Sequence, residues 1–167
     1  LETNAYVKNT VLSLINKNIT PIICVGETQE EKRKGNTFNF IKKQVSESVP
    51  IINDALIVVA YEPIWAIGSG NIPSEEEIEK IHNLIREELN SIPYLKVIYG
   101  GSVNEKNCKD IFSIPSVEGA LIGGASLNFK EFLRTGKKFL RFSFPTSSSI
   151  GGLVVAVNIF SLCLSLS

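Results

Sequence analysis

The 167-residue sequence has no methionine, a single histidine, a single tryptophan and three cysteines. Beginning at Leu1 without Met, it reads as a processed chain or as a piece of a longer one. One histidine excludes any mechanism that needs two imidazoles, a His-rich zinc site among them. Cys24, Cys108 and Cys163 are odd in number and far apart. They offer neither a disulfide framework nor a Cys-x-x-Cys metal pair, so a reducing, intracellular setting is expected. Excess charge is also missing. Seventeen basic and 17 acidic residues cancel, which argues against a nucleic-acid-binding surface, because that needs a net excess of Lys and Arg. Charge then stops altogether: nothing after Arg141 is ionisable as an acid or a base of the Asp, Glu, Lys or Arg type. What is present is a 44% hydrophobic, 20% charged composition, which excludes disorder as a global state. Leu1–Asn18 carries Glu2, Lys8 and Lys17 and has helical periodicity, the pattern of a helix rather than of a charge-free leader.

Up to about Leu133–Lys138, apolar runs alternate with amphipathic segments. Four runs read as buried strands: Pro21–Val25, Ala55–Ala60, Lys96–Tyr99 and Gly119–Ile122. They are apolar on both faces, as parallel strands covered on both sides are. Helical stripes lie between and before them. Val7, Val11, Leu14 and Ile15 mark one; Phe38, Ile41 and Val45 a second; Ile78, Ile81, Ile85 and Leu89 a third. Ser74 with Glu77 three residues on predicts a capping box for the third. Asn104 opens a shorter fourth helix near Lys106–Phe112. This alternation predicts right-handed βαβ units in a parallel α/β sheet.

Three places follow a strand's C-terminal end and carry candidate chemistry. In Tyr61-Glu-Pro-Ile-Trp-Ala-Ile-Gly-Ser-Gly70 a buried strand runs straight into Glu62. A carboxylate there sits beside low-dielectric walls, which raises its pKa toward the range of a general base. Pro63 and Pro73 bracket a loop holding Gly68 and Gly70, the pattern of a lid that closes as a unit. The competing reading is an ordinary exposed Glu at the start of a loop. Tyr99-Gly-Gly-Ser-Val-Asn104 and Leu121-Ile-Gly-Gly-Ala-Ser126 each place a Gly pair and a Ser after a strand. Backbone N–H groups in such turns can approach an anion closely; alternatively, the glycines only make tight turns.

The segments Pro21-Ile-Ile-Cys-Val-Gly-Glu-Thr28, Ala60–Gly70, Tyr99–Val103 and Leu121-Ile-Gly-Gly-Ala-Ser-Leu127, in this order and spacing, resemble the triosephosphate isomerases from about Glu2 to Phe132. The resemblance implies a (β/α)8 TIM barrel, of which residues 1–134 supply the second half, four βα units. It implies interconversion of dihydroxyacetone phosphate and glyceraldehyde 3-phosphate through an enediol, in glycolysis and gluconeogenesis. Glu62 would be the catalytic base. Gly68, Ser102, Gly123 and Gly124 would bind the substrate phosphate. The lid would comprise Pro63, Ile64, Trp65, Ala66, Ile67, Ser69 and Gly70, with Tyr99 and Ser102 hydrogen-bonding it when closed. No metal or organic cofactor is implied. The expected partner is a triose phosphate, with no nucleic acid, and the full-length family implies a cytoplasmic homodimer.

The family's substrate-binding Lys and carbonyl-polarising His belong to the first half and have no counterpart in this sequence. His82 lies mid-helix and reads as a structural or surface residue. Cys24 reads as a core thiol, and Lys32 and Arg33 as a solvated helix face. The alternative function is therefore an inactive half-barrel fragment or fusion product that needs the other half. Another phosphate-binding barrel would share the Gly-rich turns but not Tyr61–Gly70. Residues 135–167 form a charge-poor, apolar and Ser-rich tail outside the resemblance. Ile150–Leu166 is uncharged over 17 residues, behind Lys137, Lys138 and Arg141. This length is at the lower limit for a span, but Gly151, Gly152, Asn158 and the serines favour a fused or read-through segment over a membrane anchor.

Overall fold

In the computed structural model residues 2–143 and 153–156 are described, with 138–143 and 153–156 described by their backbone alone. The order is α1 (Asn4–Ile15), β1 (Ile22–Val25), α2 (Gln29–Arg33), α3 (Thr37–Ser48), β2 (Ile57–Tyr61), α4 (Glu75–Glu88), β3 (Leu95–Tyr99), α5 (Cys108–Ser113), β4 (Gly119–Ile122), α6 (Phe129–Ser143) and β5 (Leu153–Ala156). Short 3₁₀ turns follow β2 at Ile64–Ala66 and β4 at Gly124–Leu127. The sheet is parallel throughout, in the order β1-β2-β3-β4-β5. The four expected strands are in place. β5 is an addition that the sequence reading did not contain.

Local chemistry accounts for the helix starts. Thr3, Thr28 and Ser74 each accept a hydrogen bond from the amide three residues on, which satisfies one otherwise orphaned donor. At α4 the expected capping box is only half formed. The Glu77 amide donates to Ser74 Oγ at 3.2 Å, but the Glu77 carboxylate turns away and accepts from Lys32 Nζ at 2.9 and 3.1 Å. An ammonium is a stronger partner for a carboxylate than the neutral amide of the cap residue.

The main core lies between the sheet and its helices. Ile23 and Val25, Ile57, Val59 and Tyr61, Val97 and Tyr99, and Ala120 and Ile122 meet Val11, Ile41, Val45, Ile78, Ile81 and Ile85 there. Burying an aliphatic side chain of this size contributes about 1.5–3 kcal/mol. Phe38, expected on the buried stripe of α3, is 45% exposed, and Phe40 packs partly against the core instead. On the opposite, concave face Val58, Ala60, Ile98 and Leu121 form a second cluster.

The expectation of strands buried on both faces holds for β2 and β4 and fails for β1. Ile22 is 37% exposed and Cys24 is exposed, so Cys24 is not the core thiol the sequence suggested. Both lie on the concave face at the terminal strand of the described sheet, where no further strand covers them. Of the two roles expected for His82, structural or surface, its burial selects the structural one. It is fully buried, edge-on to Tyr61, with Nδ1 3.0 Å from the Ser116 carbonyl. A carbonyl only accepts, so Nδ1 carries the proton.

α6 runs without a break across position 134 to Ser143. Most of the uncharged run 150–166 lies outside the described residues, apart from β5. No helix among the described residues is long and apolar enough to cross a membrane.

Candidate active site

The chain turns out of β1, β2, β3 and β4 at one end of the parallel sheet; Glu62, Pro63–Gly70, Ser102, Gly123 and Gly124 lie in or just after those turns, and Tyr99 is the last residue of β3. Glu62 follows the last residue of β2. Its amide donates to the Val25 carbonyl at 2.7 Å, and the Tyr61 carbonyl accepts from the Gly100 amide at 2.8 Å, so neighbouring strands hold its backbone on both sides. Alternation along β2 puts Val58, Ala60 and Glu62 on the concave face. Glu62 is 6% exposed, and its Oε1 has no hydrogen-bond partner among the described residues. Burial pushes its carboxyl above the usual carboxylate range, while a hydrogen bond with Cys24 works in the opposite sense. The reading of Glu62 as an ordinary exposed loop residue is thereby excluded.

Two glycines make room for this carboxylate. A Cβ on Gly26 would lie 1.9 Å from the Glu62 carbonyl oxygen, so only glycine lets the β1 turn pass the β2 turn. A Cβ on Gly100 would lie 3.2 Å from both Glu62 Cβ and Leu121 Cδ1. Gly100 therefore packs against the Glu62 side chain. The sequence pattern assigns Gly26 no role. Its signal there was its place directly after a buried strand.

The segment after Glu62 is anchored at its start and open at its tip. Pro63 and Ala66 are buried, Ile64, Trp65 and Ile67 are half-buried, and Gly68, Ser69 and Gly70 are exposed. Gly68 and Gly70 have φ of 64° and 76°, the left-handed region that side chains avoid. The anchor is Glu27, which is fully buried and was not recognised in the sequence. Its Oε1 accepts from Trp65 Nε1 at 2.7 Å, its backbone carbonyl accepts from the Ile64 amide at 3.1 Å, and the Tyr61 hydroxyl lies 3.3–3.4 Å from its carboxylate. Lys32 also departs from expectation. Instead of lying on a solvated face, its ammonium sits 3.7 Å above the Trp65 ring and pairs with Glu77. A cation over an indole face is attracted by the ring quadrupole, so Trp65 is held at its edge and its face together.

Tyr99 is fully buried beside Tyr61, with ring centroids 6.2 Å apart, and its hydroxyl lies directly over Gly101. That hydroxyl has no partner among the described residues. No hydrogen bond among the described residues links Tyr99 or Ser102 to the Pro63–Gly70 segment. The Ser102 carbonyl accepts from Asn107 Nδ2 at 2.7 Å, which pins the β3 turn. After β4, the Ser126 amide and hydroxyl both donate to the Gly123 carbonyl, at 2.8 and 2.7 Å. This closes the short 3₁₀ turn that Gly124 begins. In turns and loops of the described residues, the amides of Gly68, Ser102 and Gly123 donate to no backbone carbonyl. No cluster of His, Cys, Asp or Glu suited to a metal ion occurs among the described residues.

Comparison with known proteins agrees with this geometry. The family model described as "Triosephosphate isomerase" matches residues 1–138. The triosephosphate isomerase of Bordetella pertussis is 39% identical over 137 residues, covering 80% of this chain and 55% of that protein. That of Legionella pneumophila is 46% identical over 124 residues, covering 70% and 50%. The crystal structure of the Bartonella henselae triosephosphate isomerase superposes with a TM-score of 0.72 at 30% identity, covering 83% of this chain and 58% of that one. The chain thus spans about half the length of the curated relatives it matches. By its matched sequence and its half-barrel of parallel βα units, the chain belongs to the triosephosphate isomerase family.

Proposed function

We propose that the barrel to which this chain contributes interconverts dihydroxyacetone phosphate and glyceraldehyde 3-phosphate, with Glu62 as the base. The observation that carries the reading is the state of Glu62: a buried carboxylate at a strand end, with one oxygen unpartnered and its pKa raised. A carboxylate made more basic by burial removes a proton from the carbon next to a carbonyl and can return it to the neighbouring carbon, so one group serves both directions. The enediol between these steps needs shelter from water, and the Pro63–Gly70 segment is the lid. The amides of Gly68, Ser102 and Gly123, which donate to no backbone carbonyl in the described turns and loops, supply donors for the phosphate, with Gly124 leading a short helix, at the place where such barrels bind one. The orphaned Tyr99 hydroxyl, with Ser102, takes up a lid group on closure. The protein would work in glycolysis and gluconeogenesis, in the cytoplasm, as a homodimer.

The test is turnover of Glu62→Asp in the barrel completed with a first half from a family relative. Moving the carboxylate back by one methylene lowers kcat by roughly 10²–10⁴-fold. Unchanged turnover refutes the assignment.

The chain by itself, by contrast, is an inactive half that needs its complement. The open concave side of β1, where Ile22 and Cys24 face solvent, favours this second reading. Isomerase activity of the full 167-residue chain alone would refute it.

A further inference from the structure

β4 is paired along its whole length on the side away from β3. Gly119, Ala120, Leu121 and Ile122 stand in register with Leu153, Val154, Val155 and Ala156 of β5. β5 lies beyond residue 138, where the family match ends. In a closed barrel of eight parallel strands every strand has two neighbours, and with four strands in this half the neighbour of β4 on that side comes from the other half. The same N–H and C=O groups of Gly119–Ile122 cannot serve both. The two ends of the half-barrel differ accordingly. At the β4 side the edge is paired and Leu121 is 3% exposed, whereas at the β1 side the edge ends the described sheet and Ile22 is 37% exposed.

We propose that β5 is an exchangeable strand standing in for the first strand of the barrel, so that the C-terminal segment competes with the other barrel half for the β4 edge. Leu-Val-Val-Ala is suited to this. It is apolar and partly β-branched, like the strands it joins, and carries no charge or proline that would discourage pairing. Pairing within the chain hides one of two sticky edges, and closure of the barrel requires β5 to leave. The inference rests on the half-barrel reading and not on Glu62. Its readouts are exchange and association rather than turnover, so either idea can fail without the other.

The experiment compares the full chain with Val155→Pro, which removes a ladder donor and breaks a strand. The probe is a polypeptide comprising the first four βα units of the Bordetella pertussis relative. In the full chain the amides of residues 119–122 are protected from hydrogen exchange. In Val155→Pro those of them that face β5 rather than β3 lose protection while those of β2 and β3 keep it, and the barrel half binds about tenfold tighter or more, because the competent state no longer has to be opened. Equal exchange at 119–122, or equal affinity for the half, overturns the proposal. A second pair of substitutions, Gly119→Cys with Leu153→Cys, guards against a variant that misfolds. Adjacent strands lie about 4.8 Å apart, within disulfide reach. Oxidation should link these two positions, read by peptide mapping, and abolish association with the half. Failure of the link to form, or association undiminished by it, also overturns the proposal.

Discussion

Glu62 carries a conflict between stability and chemistry in one side chain. Burial raises its pKa, so the folded chain holds that proton more tightly than the unfolded chain does. The linkage sign follows: the favourable contribution is complete below the unfolded value of 4.5 and is lost as pH rises through the raised folded value. Once ionised, the carboxylate is therefore a burden on the fold. Glu62→Gln removes the buried charge and keeps the shape. It is expected to raise the thermal midpoint at pH 7.5, by a free energy of about 1 kcal/mol or more, while abolishing turnover in the completed barrel. A lower midpoint would mean that the charge is compensated in a way the geometry does not show. His82 has the opposite sign. Burial, aided by the nearby Arg86 charge and opposed by the Ser116 carbonyl and Glu118, pushes its pKa down to about 4 from 6.5. The unfolded chain takes up this proton first, so the contribution is full above about pH 6.5 and disappears as pH falls toward 4. Urea unfolding of the chain at pH 7 and pH 4.5 should differ by on the order of 2 kcal/mol from this residue alone, and His82→Gln should shrink the difference. A pH profile unchanged by that substitution would remove His82 as its source.

At the scale of elements, the turns at the strand ends work because particular glycines let backbones touch. Gly26 is the sharpest instance, since its missing Cβ is replaced by the Glu62 carbonyl. Gly26→Ala cannot be absorbed by a rotamer change, because the obstacle is backbone. It should separate the ends of β1 and β2, at a cost of about 2–4 kcal/mol, and lower the activity of the completed barrel by displacing Glu62. Chemical denaturation and kcat together check this; a variant of wild-type stability would show that the two turns can move apart freely. Much of this arrangement was legible in the sequence. The buried strands announced themselves as short apolar runs, and Glu62 and the Gly pairs stood out because each directly follows one. Glu27 and Lys32 were not legible. Their roles depend on the β1 and β2 turns lying side by side in space, with a Trp65 edge over one and its face under the other. Linear spacing does not encode that contact. β5 was missed for a different reason. Four apolar residues within an uncharged run carry no period that distinguishes a strand from the rest of the run.

The described residues form a curved parallel sheet, half of a barrel, whose concave side is a barrel interior. Val58, Ala60, Ile98 and Leu121 are 0–3% exposed there, while Cys24 on the same face is exposed at the β1 end. Cys108, by comparison, is fully buried among the helices. The two thiols thus report on different parts of the architecture. Cys108 answers to the helix-covered face, which is complete within this chain. Cys24 answers to the concave face, which becomes closed only when more strands arrive. Alkylation of the full chain with iodoacetamide, mapped by peptide mass, should modify Cys24 well before Cys108. Adding the first half from a family relative should slow the Cys24 reaction and leave Cys108 as it was, because closure places new strands beside β1. If Cys24 stayed equally reactive in the assembled barrel, the added half would be docking elsewhere than on the β1 edge. If Cys108 reacted as fast as Cys24 in the chain alone, the helix-covered core would not be standing by itself, and the half-barrel would need its complement to fold as well as to work.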